Sequence, residues 1–98
     1  MDFESFISSL NQPKPAASLS KELQSLWLDK NNRWDEAHKL IQWLPGKSFA
    51  RIHAYLHRKE GDLWNANYWY DRSDDKMPNM SLDEEWNYLV KKFCKQTV

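Results

Sequence analysis

Apolar residues recur every three or four positions in several stretches of this chain, the spacing of one buried helix face. Leu19, Leu23, Leu26 and Trp27 fall at i, i+4, i+7 and i+8, predicting an amphipathic helix from after Ser18 to about Asn31-Asn32. Trp34, Ala37, Ile41 and Leu44 form the next stripe, with Asn32 as its cap, Asp35 three residues on, and Pro45-Gly46 as its end. A third helix is predicted over 49–60, capped by Ser48 and stopped by Gly61; a fourth runs from about Leu63 to Ser73, before Asp74-Asp75-Lys76 and Pro78. Ser81 and Glu84 then make a capping box for a last helix whose stripe is Leu82, Trp86, Leu89, Val90 and Phe93. Its acids lie in the first turn and Lys91, Lys92 and Lys95 late, as the helix dipole prefers.

The short breaks predict two antiparallel helical hairpins closed by a C-terminal helix. Ahead of this single helical domain, 18–98, residues 1–17 hold a short apolar patch, Phe3, Phe6, Ile7 and Leu10. Pro13 and Pro15 follow and would stop a helix, so the segment reads as an arm or linker, mobile or folded back.

Composition supports the all-α class. With two Gly, four Pro and few β-branched residues, little turn chemistry is left for β-hairpins. A length of 98 residues suits one core and not two. The 14 basic and 14 acidic side chains cancel, so no long-range field favours nucleic acid or an anionic membrane, and neither is expected as a partner. A lone Cys94, no signal-like apolar segment near Met1 and no long apolar run set a reducing cytoplasm as the expected location. Six Trp is a heavy load for this length, and such rings dominate either a small core or an interface.

Aligning the predicted hairpins on their turns sets Ser25 over Ala54, Asn32 over Gly61, Ala37 over Ala66 and Ile41 over Tyr70, a spacing of 29 residues. Small residues at 54, 66 and 73, the turn Gly61, aromatic Tyr70 and trailing Pro78 resemble a tetratricopeptide unit over about a third of the chain. The repeat is shorter than the usual ~34 residues. Ala50, His53 and His57 depart from that family's pattern of an aromatic, an aliphatic and an aromatic residue. The string His-Ala-Tyr-Leu-His-Arg-Lys-Glu-Gly-Asp at 53–62, with Tyr-Trp-Tyr at 68–70 and Trp34-Asp-Glu-Ala-His38 before it, resembles a group of small bacterial helical proteins. Ser73-Asp74 departs from the Ala-Gly expected there. The resemblance implies a soluble bacterial helical protein and points to no particular activity.

On the helix predicted over 49–60, Phe49, Ala50, Ile52, Ala54 and Leu56 define an apolar arc, with Arg51, Tyr55 and Arg58 opposite. His53 and His57, one turn apart, fall within that arc, and Glu60 follows on the same side. Burying such groups unpaired costs about 1–3 kcal/mol each, so partners are expected. Two readings stay open. One is a hydrogen-bonded polar core with no cofactor. In the other His38 approaches from the second helix, giving three imidazoles and a carboxylate for a divalent metal such as zinc, or an acid/base site using His57 and Glu60. The set lacks a His-Glu-x-x-His motif, a glycine-rich phosphate loop and a neighbouring nucleophile.

On the fourth helix Leu63, Ala66, Trp69, Tyr70 and Ser73 share the inward arc, while Trp64 and Tyr68 point away with Asn65, Asp71 and Arg72. Either the last helix covers these rings with Trp86 or Phe93, or they form an exposed pair rimmed by arginine. The basic side chains Arg51, Arg58, Lys59 and Arg72 are expected to be scattered solvated charge. The resulting expectation is a small interaction protein that engages a protein or peptide through Trp64, Tyr68, Arg72 and Tyr55, with a homodimer as a possible use of the same rings.

Overall fold

The computed structural model describes residues 1–95 and, among them, is all-helical: α1 Phe3–Ser9, α2 Lys21–Lys30, α3 Trp34–Ile41, α4 Lys47–Glu60, α5 Leu63–Arg72 and α6 Leu82–Lys95. Local chemistry explains most of the boundaries. The carboxylate of Asp2 and the hydroxyl of Ser20 accept the third-residue amides Ser5 N–H and Leu23 N–H, starting α1 and α2. Ser81 and Glu84 form the reciprocal capping box at α6, at 3.1 and 3.0 Å. Asp62 caps α5 through Asn65 N–H, directly after Gly61 has closed α4 in the left-handed region at φ 90°.

Two caps differ from expectation. Asn32 is left-handed at φ 61°, where an amide side chain is tolerated, and α3 starts one residue later without a side-chain cap. Gly46, at φ 112°, precedes α4, and Ser48 sits inside the helix with its hydroxyl donating to Glu22. In addition, α3 ends at Ile41, so Gln42 to Gly46 form a loop.

Helix α4 is central. It packs against α2, α3, α5 and α6, its most extensive contact being with α5; α2 in turn packs mainly on α3. Phe6 of α1 is wholly buried and lies 6.1 Å from Trp86, so the segment expected as an arm is folded back here and contributes to the core through α6. The main core joins Leu23, Leu26 and Trp27 to Ile52, Leu56, Leu89 and Phe93, while a smaller cluster of Ala54, Ala66 and Tyr70 sits where α4 meets α5.

Three indoles tie the elements together. Trp27 donates to the Ser9 carbonyl at 3.0 Å, Trp34 to that of Leu56 at 2.8 Å and Trp86 to that of Leu26 at 3.0 Å. Each anchors a large apolar ring at a fixed orientation and satisfies its only polar atom. No described helix is long and apolar enough to cross a membrane.

The centrality of α4 corrects the face expected to be solvated. Tyr55 is only 2% exposed and its hydroxyl donates to Asp29 at 2.9 Å, so it is a core residue and not part of a partner surface. Arg51 is buried as well, donating to Glu85 at 2.5 Å and Asp75 at 3.0 Å, and Arg58 reaches Glu85 at 2.7 Å. Glu85, wholly buried, also accepts from Tyr70 at 2.5 Å. A helical wheel assumes one buried face, and a helix surrounded by four others has no solvated side over its middle, where residues 50–56 are all buried.

Candidate functional site

His53 and His57 lie one turn apart on α4, and α3 brings His38 against them, so the three imidazoles meet, as in the second of the two open readings. His38 Nε2 and His53 Nε2 are 3.0 Å apart, and one ring nitrogen from each histidine lies within 4.8 Å of the other two. Ring centroids are separated by 4.7, 5.2 and 4.9 Å for the pairs 38/53, 38/57 and 53/57. Two indoles clamp the group: Trp34 stacks on His38 at 5.0 Å and 7°, Trp69 on His53 at 4.0 Å and 15°. Glu60 does not point inward. It is exposed and accepts from, or shares a proton with, His57 Nδ1 at 2.7 Å at the rim. A second, more open group of possible ligands is His57, Glu60 and Asp62.

Electrostatics keep the inner imidazoles neutral. Burial first, then the neighbouring His38 and His57, push the His53 pKa down to about 3. His38 is lowered by the same two causes, burial and then His57, with Glu60 and Asp35 opposing. Neutral imidazoles leave lone pairs available for sharing one proton between rings or for ligating a metal. The thiol of Cys94 lies in α6 and is pushed up by burial, which makes it a poor nucleophile.

Next to this cluster lies an open cleft of about 620 Å³. Its walls are the 41–47 loop, Phe49, Ala50 and His53 of α4, and Trp69 and Arg72 of α5. Its lining includes two cations, Lys47 and Arg72, and no carboxylate. Lys47 is paired with Asp74. Arg72 forms no salt bridge among the described residues; its guanidinium carbon lies 4.9 Å from the Tyr68 ring centroid and 5.5 Å from that of Trp69.

From the cleft a strip of rings continues along α5. Trp64, Tyr68 and Arg72 stand at i, i+4 and i+8, and Trp64 stacks on Tyr68 at 6.2 Å and 11°. Trp64 is 76% and Tyr68 42% exposed, so α6 does not cover them; Trp86 and Phe93 are spent in the main core. Across the cleft Trp43 is 85% exposed. Sequence patterning missed Trp43, although its position outside the Trp34/Ala37/Ile41/Leu44 stripe and just before Leu44-Pro45-Gly46 was a signal for a ring on a loop. It also missed the Trp34 and Trp69 clamps: Trp34 stands at i, i+4 from His38 on α3, a spacing that was readable, whereas Trp69 reaches His53 from another helix, which leaves no local spacing.

No family model, curated protein or solved structure matches the chain.

Proposed function

We propose that the protein is a small helical binding module that engages an apolar, acidic peptide segment of a partner protein along α5 and the adjoining cleft. In this reading α2–α3 and α4–α5 are two hairpins stacked in the tetratricopeptide manner and closed by α6. It is supported by the small residues at closest approach within each pair: Ser25 Oγ donates to the Ala37 carbonyl at 3.0 Å, and Ala54 and Ala66 are both wholly buried. A bacterial, reducing cytoplasm is the setting that goes with it.

The observation that carries the proposal is the division of the six tryptophans. Trp27, Trp34 and Trp86 donate their indole N–H to backbone carbonyls and hold elements together. Trp43, Trp64 and Trp69 make no indole hydrogen bond among the described residues, and all three lie on the face that includes Tyr68, Arg72 and the cleft. Trp43 and Trp64 are exposed and give the chain little in its own fold, while Trp69 is half-buried on His53 and lines the cleft; Trp, Tyr and Arg together are the side chains that dominate binding hot spots. Apolar walls and Arg72, which has no carboxylate partner, select a segment with an apolar side chain next to an acidic one.

Panning a displayed random-peptide library on the purified protein tests this. The expected result is a consensus pairing an aromatic or aliphatic residue with Asp or Glu. Trp43→Ala, Trp64→Ala and Arg72→Gln should each weaken the selected peptide by at least about 10-fold while leaving the melting temperature near wild type. The absence of a consensus, or affinity unmoved by all three substitutions, would overturn the reading. Sedimentation as a stable dimer that buries Trp64 and Tyr68 would replace it with self-association.

A further inference from the structure

We propose that His38, His53 and His57 form a three-histidine site for a borderline divalent transition-metal ion of the zinc class, open towards the cleft beside α5. This is independent of peptide binding and stands or falls on its own measurement.

The first support is convergence. Three imidazoles from two rigid helices meet with ligand nitrogens no more than 4.8 Å apart, and two of them share the i, i+4 spacing that lets neighbouring turns reach one ion. Tetrahedral ligation at ~2.0–2.1 Å places such nitrogens about 3.4 Å apart. The His38–His53 pair at 3.0 Å therefore needs to open slightly, an adjustment within the reach of side-chain rotation, with His57 already inside the same 4.8 Å group.

The second support is the surroundings. Ligating histidines commonly give their other ring N–H to a carboxylate, which fixes the tautomer and ring plane. Glu60, 2.7 Å from His57 Nδ1, is placed for that role and leaves Nε2 as the nitrogen with the lone pair. Trp34 and Trp69 restrict the planes of His38 and His53 by stacking, so two of the three ligands are held before any ion arrives.

The third support is chemistry. A proton shared between His38 Nε2 and His53 Nε2 satisfies only that pair and does not account for a third imidazole packed against both. With nitrogen ligands and no thiolate, the set suits Zn²⁺, Co²⁺, Ni²⁺ or Cu²⁺ over Mg²⁺ or Ca²⁺, which prefer oxygen. Because His53 also lines the cleft, a three-histidine site leaves a remaining coordination position for water or a ligand from that side.

The test uses the full chain, freed of any polyhistidine tag and stripped with chelator, titrated calorimetrically with Zn²⁺ alone and spectroscopically with Co²⁺. Expected are one ion per chain, visible Co²⁺ absorption, and imidazole ¹⁵N shifts at all three histidines. His38→Gln and His57→Gln should each lower Zn²⁺ affinity by more than about 100-fold, and Glu60→Gln by about 10–100-fold, with unchanged far-UV circular dichroism. Should His53→Gln fail to fold, half-buried His38 and exposed Glu60 still carry the test. Absence of saturable binding, or binding that survives His38→Gln, overturns the proposal. Binding lost in Asp62→Asn but kept in His38→Gln also overturns it, since that outcome assigns the ion to the more open His57, Glu60 and Asp62 group.

Discussion

Acidification from pH 7 to pH 5 is expected to weaken the metal-free fold by about 2 kcal/mol through His53. The side chain is 6% exposed, lies on Trp69 and faces His38 and His57, and its folded pKa is pressed to about 3 against an ordinary 6.5. Below pH 6.5 the unfolded chain takes up a proton that the folded chain refuses until about pH 3. This contribution to stability is thus fully present above pH 6.5 and falls away as the pH drops through that window. At ~1.36 kcal/mol per pH unit over about one and a half units, the loss by pH 5 comes to about 2 kcal/mol. His38, lowered by burial and by His57, adds in the same direction. Asp62 and Glu84 are held below the usual carboxylate range by hydrogen bonds from Asn65 and Ser81, so their contributions are lost only at lower pH. Urea unfolding followed by far-UV circular dichroism at pH 7, 6 and 5 measures the slope, and His53→Gln should flatten most of it. A wild-type stability constant over that range, or an equal slope in the variant, would refute the reasoning.

Other consequences concern single groups. Glu85→Gln leaves Arg51 and Arg58 without their buried carboxylate and should destabilise by about 3–5 kcal/mol in urea unfolding; a loss below about 1 kcal/mol would show that Asp75 and water can replace it. Gly61→Ala meets no atom within 4 Å but must hold φ 90°, so about 1–2 kcal/mol should be lost and seen as a lower melting temperature; an unchanged melt would contradict this. Trp86→Ala should cost about 3–5 kcal/mol, whereas Trp64→Ala should stay within about 0.5 kcal/mol of wild type; equal losses would mean that Trp64 is a core ring.

Legibility followed the range of each interaction. Local signals were readable: the Ser81/Glu84 box, the left-handed stop at Gly61, the α6 stripe, and the small residues Ala54 and Ala66 that meet between α4 and α5. So was the meeting of His38 with His53 and His57, because the loop between α3 and α4 is short. Arg51 with Glu85, Tyr55 with Asp29 and Trp69 on His53 were different. The first two pairs are 34 and 26 residues apart and exist only because four helices surround α4. The wheel therefore put Tyr55 and Arg51 in water when both are core. Glu60 failed for the opposite reason: it belongs to the last turn of α4, beyond the crowded part, where its carboxylate reaches solvent.

Indole N–H resonances give the most direct measure of whether the α5 face binds a partner. Six signals are expected from six tryptophans, and adding a selected acidic-apolar peptide to the ¹⁵N-labelled protein should shift or broaden those of Trp43, Trp64 and Trp69. Those of Trp27, Trp34 and Trp86, tied to backbone carbonyls, should stay in place. Movement confined to the second group, or none in either at saturating peptide, would contradict the account.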